Sequence, residues 1–246
     1  MENNLLKRFQ IACAWCGPAF VLLYGISWCI LGHNYPPPDP QLSALDLVNN
    51  FYLKYRHDIL LGQSLSTCFG MLYMAWSCQL SAQMWQREKE NNHALSLLQL
   101  AGGLLTGWVL VFCPALWVCC AEMAGSVDPV LIKSIHFMAW YTYDMTYMVT
   151  TLEVIAIFIF ALGDNEKPAL LPKWTAALAL FSGLSFLPLT FLPYFKGGIF
   201  ALNGYWSFHV AFASYAIFTA AIGYYMTKDL KRARIPAVAG IGNSQS

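Results

Sequence analysis

Asp144 and Glu153 stand inside the longest apolar run of the chain. An ionisable group near the centre of a bilayer costs at least about 2.5 kcal/mol on insertion scales, so both side chains must face protein or water rather than lipid. Groups so placed act as proton donors and acceptors or tie neighbouring helices together. Nine residues separate them, roughly 13.5 Å along a straight helix rising about 1.5 Å per residue. That distance argues against paired-carboxylate hydrolysis, which needs about 5 to 9.5 Å, and leaves a chain of proton-accepting groups or two ends of one cavity. At about 100° per residue, His136, Tyr143 and Tyr147 share a narrow stripe flanked by Asp144 and Thr151, whereas Glu153 falls on another sector with Thr142 and Thr146. Asp144, His136 and Glu153 are therefore the candidate acid-base groups, and Tyr143 and Tyr147 are candidate substrate contacts.

Histidines supply a second set of candidates. His33, His57, His136 and His209 all fall toward one side of the membrane in the topology argued below, and only His93 falls toward the other. His57 adjoins Asp58, and His209 follows Tyr205 and Trp206. If these groups converge with Asp144, the outer halves of the second, fourth and sixth apolar segments enclose a cavity, with Asp58, Trp206 and His209 as further substrate contacts. Imidazole and carboxylate groups there would suit zinc or copper, with His57, His136 and His209 as the ligands. No recognised metal-ligand spacing is present, so metal and haem are not favoured and no cofactor is assigned. Cys13-Ala-Trp-Cys16 has CxxC spacing but lies in an apolar run rather than after a strand, and the cysteines read as small buried hydrophobes.

The elements that must position these residues follow from composition. Of 246 residues, 58% are hydrophobic and 11% charged, against roughly 25% charged in ordinary soluble domains. Apolar segments at 11–31, 59–80, 97–120, 131–162, 174–194 and 207–226 are each long enough for the roughly 20 residues that cross a bilayer as a helix. They are continuous, unlike the short alternating segments of a membrane β-barrel. The expectation is one all-α membrane domain of six transmembrane helices.

Charge supports the same count. Lys7, Arg8, Arg87, Lys89, Lys167, Lys173, Lys228, Lys231, Arg232 and Arg234 share one side, and Lys54, Arg56, Lys133 and Lys196 the other, ten against four of the 14 basic residues. The positive-inside rule then places both termini in the cytoplasm, and we expect a bacterial inner membrane. In the first outer loop, prolines 36, 37, 38 and 40 precede Ser43 and Asp46, a capping box. Leu42, Leu45, Val48, Tyr52 and Tyr55 then recur at helical spacing, which predicts a short interfacial helix covering the bundle.

A net charge of +1 without a long basic tract argues against nucleic acid. The expected partners are membrane lipid and an apolar small molecule such as a lipid, sterol, quinone or hydrocarbon, with a membrane-protein partner or second copy left open. Three classes stand: a binding protein for such a molecule with or without acid-base catalysis, a small transporter or proton-coupled carrier, and a noncatalytic assembly or sensory component. The absence of an internal repeat weighs against the carrier, and the absence of a dinucleotide fingerprint or P-loop removes the commonest nucleotide sites.

Overall fold

The computed structural model describes residues 2–88 and 92–232. Lys89 and Arg234 of the charge pattern lie outside the described residues. The described chain forms α1 (Glu2–Gly25), α2 (Ala44–Leu47), α3 (Arg56–Arg87), α4 (Ala94–Met123), α5 (Pro129–Met145), α6 (Tyr147–Gly163), α7 (Lys173–Ser185) and α8 (Ala211–Arg232). Six helical stretches are long and apolar enough to cross a membrane: Asn4–Leu31, Arg56–Arg87, Ala94–Met123, Pro129–Gly163, Lys173–Tyr194 and Tyr205–Arg232. This is a multi-pass α-helical membrane protein.

The spans pack in a circular order, with α1 against α3, α3 against α4, α4 against α5 and α6, α6 against α7, α7 against α8 and α8 back against α1. The closed order leaves an interior to be filled by side chains. Six passes put both ends of the described chain on one face of the bundle. There Arg87 joins three segments, donating to Asp164 at 3.2 Å, to the Pro168 carbonyl at 3.0 Å and to Asp229 at 2.7 Å. Glu88 accepts from the Leu95 and Ser96 backbone N–H groups, satisfying donors that the first turn of α4 would otherwise leave open.

The opposite face carries the interfacial helix expected from the sequence. Ser43 Oγ accepts from the Asp46 N–H at 3.0 Å, and α2 continues as a wider π-helical turn, Val48–Leu53. Its buried side chains are Leu47, Val48, Phe51 and Tyr52, packed on Ile59, Cys120, Ala121 and Ile132. Leu45 points away from this cluster and is exposed. Phe51 fills the buried side instead, because a π turn advances less per residue and rotates the face.

Two further π turns interrupt spans on this side, Ile26–Leu31 at the end of the first and Tyr205–Val210 at the start of the sixth. The fourth span, expected as one continuous helix, is two helices meeting at Thr146 (φ −82°, ψ 8°). The Thr146 hydroxyl donates to the Thr142 carbonyl at 2.7 Å, a local bond that competes with the helical ladder and bends it. Pro188 and Pro193 have a comparable effect on the fifth span, which tightens into a 3-10 helix over Leu187–Tyr194.

Candidate functional site

The interior of the ring contains a cavity of about 150 Å³. Phe20, Tyr24 and Trp28 reach it from the first span, Thr106 and Leu110 from α4, and Phe212 and Tyr215 from α8. From the fourth span come Tyr143, Asp144, Thr146, Tyr147 and Thr150, on both sides of the helix break. The π turn at Ile26–Leu31 is what brings both Trp28 and its neighbour Cys29 to the wall, and π turns recur at functional sites generally.

Aromatic packing closes the cavity toward the α2 face. Trp28 stacks on Tyr143 with ring centroids 5.0 Å apart and an interplanar angle of 10°. Trp140 lies 5.7 Å from Trp28 and 4.9 Å from Trp117. Phe208 and Phe212 complete this plug at 5.9 and 5.6 Å from Trp28.

Most polar groups on the wall are already engaged. Tyr24 donates to the Leu110 carbonyl at 3.1 Å, the Thr106 and Thr150 hydroxyls pair at 2.8 Å, and Tyr147 pairs with Thr190. Asp144 differs. Its side chain is 3% exposed, and Oδ1 is buried without a hydrogen-bond partner among the described residues. The Trp28 indole N–H and the Tyr215 hydroxyl are likewise unpartnered there. Sixteen buried side-chain polar atoms lack a partner among the described residues, most of them away from this cavity, and Asp144 Oδ1 is the one that belongs to a carboxyl.

Glu153 occupies a different, filled environment. It is fully buried; Tyr73 donates to Oε2 at 2.7 Å and Gln99 donates to Oε1 at 3.0 Å. Gln99 also donates to Ser77 at 2.8 Å. Gly102 and Gly103 of α4 make room for this group, since a Cβ on Gly103 would collide with Ser77 Oγ and stand 2.7 Å from Glu153 Oε1. The Tyr73 ring is 5.8 Å from that of Tyr215, so the Glu153 cluster lies one ring behind the cavity wall.

The histidines do not join Asp144. His136 is buried beneath the interfacial helix, where its Nδ1 pairs with the Tyr52 hydroxyl at 2.7 Å. His57 is an exposed neighbour of Asp58, and Asp58 is 3.3 Å from His33 Nε2. His209 packs against Tyr35 and Tyr205, and Trp206 donates to the Ser185 carbonyl at 3.1 Å. Of the expected contacts, Tyr143, Asp144 and Tyr147 line the cavity; His57, Asp58, His136, Trp206 and His209 do not. The second span does not line it either, whereas the first, third and fifth do. Among the described residues no three His, Cys, Asp or Glu side chains converge as a metal site would require, so His57, His136 and His209 remain apart.

Sequence reasoning missed Trp28, Phe212 and Tyr215 of the wall and Tyr73, Ser77 and Gln99 around Glu153. A signal for the second group exists: Gln63, Ser66, Gly70, Tyr73 and Ser77 recur every three or four residues along α3, and all are buried. Compared with known proteins, the chain matches no family model, no curated protein and no solved structure.

Proposed function

We propose that this membrane protein binds an apolar small molecule in its central cavity and that Asp144 holds the molecule's polar group. The buried Asp144 carboxyl, its Oδ1 unpartnered among the described residues on a largely aromatic and aliphatic wall, carries this reading. A ligand with a hydrogen-bonding group would satisfy the carboxyl while aromatic side chains cover the rest, the usual composition of a small-molecule pocket. Asp144 is the only carboxyl among the lining residues, so an acid-base step on the ligand would fall to it. His136, bonded to Tyr52, and Glu153, bonded to Tyr73 and Gln99, serve to fix the interfacial helix and to tie α3, α4 and α6.

The test is to identify what copurifies. Organic extracts of the wild-type protein and of Ala216→Phe, which places a ring at a small lining residue, would be compared by mass spectrometry. A stoichiometric species present in the first and depleted in the second is expected. Identical extracts from the two would refute the reading. The orientation we propose, termini in the cytoplasm, rests on the basic residues at the face that carries Arg87, Lys173 and Lys228.

A further inference from the structure

We infer that the molecule held in the central cavity carries an organic cation, a compact ammonium group seated between the Asp144 carboxylate and the aromatic side chains around it. The inference rests on the cavity being a ligand site and narrows it to one ligand class.

Charge is the first argument. Among the described residues no lysine, arginine or histidine lines the cavity, and no group donates a hydrogen bond to Asp144 Oδ1. A carboxyl buried alone in an apolar interior is held neutral, and it ionises there only beside a partner of opposite sign. The wall supplies no such partner among the described residues, so a cationic ligand would both ionise Asp144 and pair with it.

The wall chemistry is the second. A hydrocarbon needs only aliphatic packing, yet Trp28, Tyr143, Phe186, Phe212 and Tyr215 line the cavity together with Asp144, beside the aliphatic Val21, Val109, Leu110 and Val149. Aromatic faces attract a desolvated cation, Trp most strongly, and quaternary ammonium groups are recognised in this way. A neutral alcohol would satisfy the carboxyl but draw nothing from the ring faces.

Size is the third. A closed apolar cavity of about 150 Å³ accepts benzene; the cavity here has that volume and is partly open, so it suits a single ring bearing a compact ammonium group such as trimethylammonium. A metal cation is disfavoured on ligand count, because Ca²⁺ and Mg²⁺ take roughly six or more oxygens and the wall offers one carboxyl.

The experiment uses the full chain in dodecyl maltoside and three probes of one shape: phenyltrimethylammonium, its uncharged carbon counterpart tert-butylbenzene, and 2-phenyl-2-propanol, which carries a hydroxyl. Equilibrium binding of each is measured on the wild type, Asp144→Asn and Ala216→Phe. Phenyltrimethylammonium is expected to bind saturably and at least tenfold more tightly than either neutral probe. Asp144→Asn should remove that advantage, leave tert-butylbenzene unchanged and elute as the wild type does on size exclusion. The wild-type comparison among probes stands even if the variant fails to fold. Equal binding of a neutral probe, or full ammonium affinity in a folded Asp144→Asn, would overturn the cationic class; loss of tert-butylbenzene binding in Ala216→Phe would meanwhile preserve the cavity as a site. If no probe binds saturably, or Ala216→Phe changes nothing, the cavity reading fails and the cationic inference with it.

Discussion

Glu153→Leu tests whether the deeper acid of the fourth span acts as a tie between helices. Leucine removes the acceptor for the Tyr73 hydroxyl and one of the two acceptors of the Gln99 amide. Leaving a buried donor unpaired costs about 1 to 3 kcal/mol, while interhelical hydrogen bonds in membranes average only about 0.6 kcal/mol because the unfolded reference finds other partners. Tyr73 is left with only the neighbouring Tyr215 hydroxyl to turn to and Gln99 keeps Ser77, so the loss falls between about 1 and 3 kcal/mol. Glu153→Gln should cost much less. Its oxygen can still accept from Gln99, which keeps both of its donated bonds, while its amide nitrogen donates to the Tyr73 oxygen and the Tyr73 hydroxyl turns toward Tyr215. Unfolding of the purified protein by increasing mole fraction of sodium dodecyl sulfate, followed by circular dichroism, measures both variants. The reasoning is wrong if Glu153→Leu unfolds within about 0.5 kcal/mol of the wild type, the ordinary range for neutral surface changes, or if Glu153→Gln is as destabilised as Glu153→Leu.

The same titration should show Arg87→Met losing about 3 kcal/mol, because it strips the ion pair from the nearly inaccessible Asp164 carboxylate; Arg87→Lys should recover only part, lacking the fork that reaches Asp164 and Asp229 together. Gly103→Ala should cost about 1 to 3 kcal/mol by overpacking against Ser77 and Glu153, and a wild-type midpoint would show that α3 and α4 can separate freely there. Tyr52→Phe should cost about 1 kcal/mol by orphaning His136 Nδ1 and leave probe binding unchanged, since Tyr52 is off the cavity wall. Reporter fusions after Lys228 should read as cytoplasmic and one after Ser126 as external; the reverse pattern would invert the proposed orientation.

The six spans were legible because hydropathy responds to lipid, which every span meets on one side. Their ends were less so: the apolar run 59–80 became Arg56–Arg87, and 207–226 became Tyr205–Arg232. A helix runs on past the hydrocarbon to a capping or charged anchor such as Arg87 or Glu88, and hydropathy does not report those. The helix break at Thr146 had no proline or glycine to announce it and depends on a side-chain bond to Thr142. Asp144, Tyr143 and Tyr147 could be assigned to one region because a single helix carries them. Trp28, Phe212 and Tyr215 could not, since their approach depends on the circular order of the spans and on π turns. The histidines drew attention because they are scarce and chemically versatile, but sharing a side of the membrane does not bring side chains from separate spans together.

The contrast between the two acids decides where function should be sought. Glu153 and Asp144 have the same residue chemistry, lie on the same span and are both withdrawn from lipid, so composition and depth cannot separate them. Partners can. Around Glu153 the sequence supplies Tyr73 and Gln99 as donors and two glycines that let α3 and α4 close on it. This arrangement leaves the carboxyl satisfied by the protein alone, with no space for a ligand beside Gly103. Around Asp144 the protein supplies ring faces and an open volume but no donor to Oδ1. A buried acid with no partner weakens the fold unless something else binds it. A merely structural requirement at position 144 would be met better by an asparagine bonded to a neighbouring helix or by an apolar residue filling the cavity. The Asp144 carboxyl and the space beside it are the two features the proposed ligand would use, one for its polar group and one for its apolar body.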